Sequence, residues 1–413
     1  MEVQMKYPRL ALPLVSFALV LSLSACEPAP PPEASAGAET AGAPSAVPAS
    51  VDLSALAESF VGDAARVEEG DLVLITGSTR DQLLLEEMAV QVRRRGAFPM
   101  ISLGSDRLAY RMVAEVPERF DAQGPALQLA TADVFDVVIA VDVGEDPDLF
   151  ADIAPERIAA ITQAGTPAGE AMRANRVRQV FIGNSLYPTP AAAARLGMEL
   201  GALQTMFWEA VFTDPALLQE RAASIRETFE GGSEVQVTHP NGTDLSFGIQ
   251  GRPVFVSDGV VSSEDTETGG AGLSVWLPAG EVFLTPVPGT ANGQLVVEKT
   301  FWEGQEITGL RMTFENGMMT AMTAENGLDK VQADYAAAGA CRDQFSVLDV
   351  GINPGLDASQ VSNWVSAGMV TLAIGSNVWA GGELECEFSM NPHLSGTTLT
   401  VDGVAIVEGG QLR

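Results

Sequence analysis

Histidine is almost missing from this chain, with 2 residues among 413. That scarcity excludes a centre built mainly on imidazole, the ligand that zinc-like ions most often take. Lysine is nearly as rare, at Lys6, Lys299 and Lys330, and 54 Asp and Glu against 23 Lys and Arg leave a formal charge of -31. Clustered cations are what hold a phosphate backbone, so no nucleic acid is expected as a partner. The acidity itself reads as a solubility adaptation. A spanning helix is not expected at the N-terminus either: the apolar run from Leu10 to Leu23 falls short of the roughly 20 residues that a bilayer requires.

What stands at the N-terminus instead is a secretion signal. Lys6 and Arg9 precede the apolar run, and Leu23-Ser24-Ala25-Cys26 resembles a bacterial lipobox, in which the signal is removed and the cysteine thiol is acylated. Residues 1–25 are read as a lipoprotein signal peptide, with Cys26 as the lipidated first residue that ties the protein to a lipid membrane. Glu27, where aspartate would hold a lipoprotein back, points to the outer membrane. The expected location is the bacterial cell envelope, lipid-anchored and facing the periplasm. Residues 26–50 are almost entirely Pro, Ala, Gly, Ser, Glu and Thr, which cannot bury enough surface to offset chain ordering, so they read as a disordered tether. In an oxidising periplasm Cys341 and Cys386 are either a disulfide or two small buried residues, and both readings stay open.

The remaining chain, 46% hydrophobic overall, is large enough for two domains. From 51 to 232 short apolar runs alternate with amphipathic stretches. Strands are expected at Asp71 to Thr76, Phe98 to Leu103, Val134 to Val141 and Gln179 to Gly183, with helices at Pro155 to Ala174, Ala191 to Phe212 and Pro215 to Phe229. Apolar strands separated by helices imply an α/β fold, a doubly wound and mostly parallel sheet covered on both faces. The Gly77-Ser-Thr-Arg80 turn lacks the spacing of a nucleotide loop and reads as a helix cap. From 233 to 413 the pattern changes to period two. Asn-Gly turns at Asn241-Gly242 and Asn316-Gly317 join hairpins, giving an α+β domain with a mostly antiparallel sheet and a helix near Gly327 to Ala338. His239 beside the first turn reads as a turn residue, and the acidic run Ser262 to Glu267 as a solvated one.

Three segments carry a resemblance. Leu277-Pro-Ala-Gly-Glu281-Val-Phe-Leu-Thr-Pro286, the strand Val67 to Thr76 with Gly96-Ala-Phe-Pro99, and the glycine and asparagine frames near the C-terminus are similar to the thermophilic-type metallo-aminopeptidases, the family of aminopeptidases T and S. The resemblance implies two divalent, zinc-like metals held by two glutamates, two histidines and an aspartate, peptides as substrates, and a homodimer. Glu281 keeps its ligand type. The frame Ser346 to Pro354 puts Val347 at the second glutamate, Gly368 to Gly375 puts Thr371 at a histidine, and Ser389 and Asn391 fall at the last His and Asp. Substitutes are Asp349, His393 if a bulge at Pro392 shifts its strand, and Glu387, one of an alternating row with Glu383 and Glu385 that could also hold calcium or magnesium. One glutamate cannot hold a catalytic metal. The expectation is therefore an aminopeptidase fold with a lost or remodelled two-metal site that binds peptides without cutting them. Two alternatives stand beside it: an active metal-dependent aminopeptidase with substituted ligands, and a structural or assembly lipoprotein.

Overall fold

Continuous apolar strands leave neither face fit for water, and the first half of the chain packs helices around a parallel sheet, although its edge strand Phe98–Gly104 is largely exposed and not covered on both faces as expected. The computed structural model describes residues 46–48, 51–142, 149–150, 152–302, 305–386 and 388–413. The signal peptide, Cys26, most of the tether and Glu387 lie outside the described residues.

Helices α1 (Leu53–Glu58) and α2 (Gln82–Arg94) flank strands β1 (Leu72–Ser78) and β2 (Phe98–Gly104). Then follow α3 (Asp106–Ala114), α4 (Ala126–Val134), β3 (Val137–Val141), α5 (Pro155–Ala174) and β4 (Arg178–Ile182). The Gly77–Arg80 turn does act as a cap: Ser78 Oγ accepts from the Arg80 N-H at 3.2 Å. The helix expected over Ala191 to Phe212 is two helices, α6 (Pro190–Leu196) and α7 (Leu200–Val211). Gly197, left-handed at φ 65°, closes the first of them. Helix α8 (Pro215–Gly231) completes this part. The tether ends earlier than expected, because Ala46 and Val47 are buried and the Ala46 carbonyl accepts the Trp208 indole N-H at 2.9 Å.

The second half opens with the hairpin β5 (Glu234–Thr238) and β6 (Asp244–Gly248), then β7 (Val254–Ser257) and α9 (Ser263–Thr268). The acidic run is this short helix, closed by a reciprocal Ser262–Asp265 capping box with Glu264 and Glu267 in water. Strand β8 (Ser274–Leu277) leaves the second half and adds to the parallel sheet, whose order is β2-β1-β3-β4-β8.

The antiparallel part continues with β9 (Glu281–Leu284), β10 (Asn292–Trp302), β11 (Gln305–Glu315), β12 (Met318–Thr323), α10 (Leu328–Ala337) and β13 (Phe345–Gly351). After these come β14 (Asn353–Asp357), β15 (Ser366–Ala367), β16 (Val370–Gly375), β17 (Ser389–Met390), β18 (His393–Leu394), β19 (Thr398–Val401), β20 (Val404–Glu408) and β21 (Gln411–Leu412). Eight strands form one sheet, β12-β11-β10-β6-β5-β19-β20-β21, and a smaller sheet runs β17-β16-β13-β9-β7 with β18 beside β16. Among the described residues, no helix is long and apolar enough to cross a membrane.

Residues 383 to 386 are irregular, so the expected strand row through Glu383 and Glu385 does not form. Asn377 shapes this loop instead: its Oδ1 accepts from Leu384 N at 2.9 Å and its amide donates to Ser346 O at 3.1 Å. Cys386 at its end is bridged to Cys341, their Cα atoms 5.9 Å apart. Glu383 and Glu385 point to solvent.

Candidate functional site

The Leu277 to Pro286 segment carries the chain from one sheet into another. β8 ends at Leu277 in the parallel sheet, and β9 begins at Glu281 in the smaller antiparallel sheet. Gly280 turns between them at φ 125°, where an added Cβ would meet Asn353 Cβ at 2.8 Å. Only glycine combines that conformation with so close an approach. Asn353 grips the turn from the far side. Its amide donates to Ala279 O at 2.6 Å and Ala210 O at 3.0 Å, while its Oδ1 accepts from Gly355 N at 2.8 Å.

Alternation along β9 puts Glu281 and Phe283 on one face. Ser257 lies across from Glu281, and Asp349 across from Phe283. Asp349 in turn faces Thr371, and Thr371 faces His393. The fold therefore sets Asp349, Thr371 and His393 in one lateral row, with Glu281 diagonal to it. No bulge at Pro392 is involved. β17 and β18 keep a single register against β16, Gly375 opposite Ser389 and Thr371 opposite His393, and Pro392 interrupts the ladder only because it has no N-H to donate. Ser389 and Asn391 satisfy each other instead, Ser389 Oγ donating to Asn391 Oδ1 at 3.2 Å.

Glu281 and Asp349 are buried side by side. The Asp349 oxygens receive no well-formed hydrogen bond from an N-H or a hydroxyl. Apart from the Val350 backbone N-H, the Glu281 carboxyl is their partner, and two carboxyls this close and this dry share a proton rather than carry two charges. Burial, then the Glu281 charge, holds Asp349 well above the ordinary carboxylate range. Burial also pushes Glu281 up to about 7, against the opposing pull of its bonds to Asp349 and Ser257.

The rest of that face is apolar. Phe283, Val347, Ala373 and Ala380 form a small buried cluster, with Phe255 and Trp379 packed on it. Trp379 lies 5.7 Å from Phe283 and 5.4 Å from Trp364, and Trp364 packs edge-on against His393 at 5.0 Å. His393 Nδ1 is already bonded to Thr371 Oγ1 at 2.8 Å, and burial holds the ring neutral, its pKa lowered to about 4.

A two-metal centre does not fit these donors. A zinc-like ion takes about three protein ligands of nitrogen, sulfur or charged oxygen. This face offers two carboxyls that share a proton, a serine, a threonine and His393, whose Nδ1 is already taken by Thr371, beside an aromatic cluster. Among the described residues, no three His, Cys, Asp or Glu side chains group as metal ligands. The aromatic cover, Trp364 and Trp379, was not foreseen from sequence, since neither tryptophan stands in a motif.

Beside this face opens a cavity of about 760 Å³. It reaches the smaller sheet at Asn391, His393 and Leu394 and is otherwise lined by Asp142, Tyr187, Arg195, His239, Glu298 to Phe301 and Trp364, among others. His239 is the turn residue expected, its Nδ1 accepting from Asn241 N at 3.0 Å, and it also borders the cavity. Both histidines of the chain thus line one cavity. Asp142 was missed, although it follows β3 at the carboxyl end of a parallel strand, where ligands of open α/β sheets bind. Mixed charges and aromatic walls in a cleft of this size suit a small amphoteric ligand.

Comparison places the fold. Aminopeptidase AmpT from Thermus thermophilus superposes with a TM-score of 0.69 at 18% identity, over 87% of this chain and 98% of that one. A 2,5-dihydroxypyridine dioxygenase from Pseudomonas putida superposes at 0.56 and 14% identity, over 87% and 96%. The same fold thus carries names from two unlike chemistries, so it fixes architecture without fixing reaction. No curated protein sequence matches the chain. The signature of the thermophilic metalloprotease (M29) family matches residues 50–341, which include Glu281 and stop before Val347, Thr371 and Asn391. With most of its length under that signature and an AmpT-like fold, the chain belongs to the thermophilic metalloprotease (M29) family.

Proposed function

We propose that this protein is an aminopeptidase-fold lipoprotein of the bacterial envelope that holds a peptide in its cavity without cutting it. The donor set carries this reading. Where the family resemblance calls for a glutamate, a histidine and a His–Asp pair, the chain has Val347, Thr371, Ser389 and Asn391, and the retained Glu281 shares a proton with Asp349 on the face that carries Phe283. Such a face can pack and hydrogen-bond but cannot activate water through a divalent ion. The cavity keeps what peptide binding requires: Asp142 and Glu298 for an ammonium, Arg195 and Lys299 for a carboxylate, Phe301 and Trp364 for side chains. Acylation at Cys26 would hold that cavity at the outer membrane, facing the periplasm.

The test uses full-length protein purified in mild detergent. Bound metal is quantified, and hydrolysis of an aminoacyl reporter is followed with and without chelator. Sub-stoichiometric metal and no chelator-sensitive turnover are expected. Stoichiometric metal with turnover abolished by Glu281→Ala would establish a working peptidase instead. A mixed peptide library should raise the melting temperature, since a ligand at 100 times its Kd adds about 2.7 kcal/mol. If no peptide does so, the binding role fails and a structural role takes its place.

A further inference from the structure

Strand β10 outruns one of its neighbours. β6 pairs with it only from Asn292 to Gln294, while β11 accompanies it to Trp302, so from Leu295 onward one edge of β10 has no strand beside it. That edge does not face open water: Val296 through Phe301, six residues in succession, line the 760 Å³ cavity. An edge strand on the outside of a protein invites any other strand, whereas one recessed in a cavity is open only to a chain that fits the cavity.

Hydrogen bonds on either side fix which backbone groups point there. Val296 is already served: its N-H donates to Thr243 Oγ1 at 3.0 Å and its carbonyl accepts from Asn241 Nδ2 at 2.8 Å. These two side chains end the occupied part of the edge. Farther along, Thr308 on β11 turns its backbone away from β10, its N-H donating to Asn326 O at 3.2 Å and its carbonyl accepting from Glu325 N at 2.9 Å. Lys299 stands opposite Thr308, so its own N-H and C=O turn away from β11, to the cavity side, and Phe301 two residues on repeats the arrangement. The ladder is interrupted between these residues and Val296, at Glu298 opposite Gly309, whose φ is 61°. Among the described residues, no group bonds the Lys299 or Phe301 backbone from the cavity side. Their side chains stack on each other, Lys299 Nζ lying over the Phe301 ring at 5.1 Å, on the face of the strand rather than its edge.

We propose, on the reading that this cavity holds a peptide, that the peptide binds as a strand added to β10, its main chain exchanging hydrogen bonds with Lys299 and Phe301. The ligand is then an extended segment chosen by its backbone, not by its terminal charges alone. At about 3.3 Å per residue the edge from Val297 to Phe301 runs about 13 Å, which matches a segment of about five residues. Charge agrees with a sequence-tolerant site: the lining sets Asp142 and Glu298 against Arg195 and Lys299, a balance within a chain of -31, so neither sign of peptide is repelled. A single amino acid could use those charges but would leave the edge to water.

The test follows binding of penta-alanine, which offers a main chain and little else, to full-length protein in mild detergent by calorimetry. Wild type should bind it. Two doubly N-methylated versions carry the decision, because a strand presents its N-H groups alternately to its two sides. Methylation of the second and fourth alanines leaves one edge whole and should preserve binding. Methylation of the third and fourth spoils both edges and should weaken binding about tenfold or more, as a lost hydrogen bond with a stranded partner does. Phe301→Pro removes the outward N-H without touching a ladder bond, and should bind about tenfold more weakly than Phe301→Ala, which loses the ring but keeps the N-H. The peptide pair decides on wild type alone, so a proline variant that misfolds changes nothing. Equal binding of the two methylated peptides, or equal binding by two folded Phe301 variants, overturns strand addition. If a mixed peptide library contains binders and penta-alanine does not bind, strand addition fails while the cavity still holds peptides. If nothing in the library binds either, both readings fall.

Discussion

Thr371 Oγ1 and His393 Nδ1 meet at 2.8 Å across β16 and β18, so the threonine at one expected metal-ligand position engages the histidine read as a substitute ligand for the last His–Asp motif. Thr371 is fully buried. His393→Ala should strand its hydroxyl and remove the ring packed on Trp364, costing about 2 kcal/mol or more in urea denaturation at pH 7. Thr371→Val, which deletes the buried hydroxyl and leaves His393 beside the cavity, should cost less, about 1 kcal/mol. His393 stays neutral in the fold down to about 4, against an ordinary value of 6.5. Its contribution is therefore whole above pH 6.5 and drains away as pH falls toward 4. His393→Phe should flatten that acid-side decline. An equally steep decline in the variant would assign it to other groups.

Glu281 and Asp349 impose the opposite slope. Glu281 is raised to about 7 from an ordinary 4.5, so the protonated form belongs to the fold. That contribution is complete below about pH 4.5 and is lost as pH rises through about 7. Glu281→Gln keeps the shape and can donate its amide to Asp349 without ionising. Its melting temperature should fall less than that of wild type between pH 5 and pH 8. A variant that melts well below wild type at pH 8 would mean that the Glu281 charge is stabilised, as a bound cation would stabilise it.

Much of the architecture was legible because it rests on local pattern. The strands at β1, β2, β3 and β4 are continuous apolar runs, and the Asn-Gly turns at 241 and 316 name their hairpins. What failed was decided between segments. Gly197 alone does not decide whether a helix ends or runs through it, and the alternating Glu383 and Glu385 imitate a strand that Asn377 and the Cys341–Cys386 bridge prevent. The candidate site divides the same way. Frame counting located Val347 and Thr371, but whether Asp349 and His393 share a row depends on strand register, and the cover of Trp364 and Trp379 on packing that no spacing encodes.

The Cys341–Cys386 bridge closes a loop of sequence separation 45, tying the chain after α10 to the segment before β17. Chain-entropy arguments give a loop of that length about 4 kcal/mol. Mass measurement after alkylation should find neither cysteine modified until reductant is added. Reduction should then lower the urea midpoint. If both thiols alkylate in unreduced folded protein, the bridge is absent.

Asn353 should be the most sensitive single position outside the hydrophobic core. Its side chain bonds Ala279 and Ala210 carbonyls, the Gly355 N-H and, at 3.1 Å, Thr213 Oγ1, so it joins α7, β14 and the turn that aims Glu281. Asn353→Ala would leave two carbonyls and an N-H unpaired in a buried place, at about 1–3 kcal/mol for each group that water cannot reach. Asn353→Asp keeps the acceptor and loses the two donations, placing a carboxylate against carbonyl oxygens, and should be no better tolerated. Because Gly280 packs directly on the Asn353 side chain, the loss should spread to the Glu281 turn. Hydrogen exchange should show this as faster exchange at Ile352 N-H, whose bond to Gly280 O is 2.8 Å in the native protein. A variant that loses less than about 1 kcal/mol and keeps Ile352 protected would show that the turn is held by its own backbone, not by the asparagine clamp.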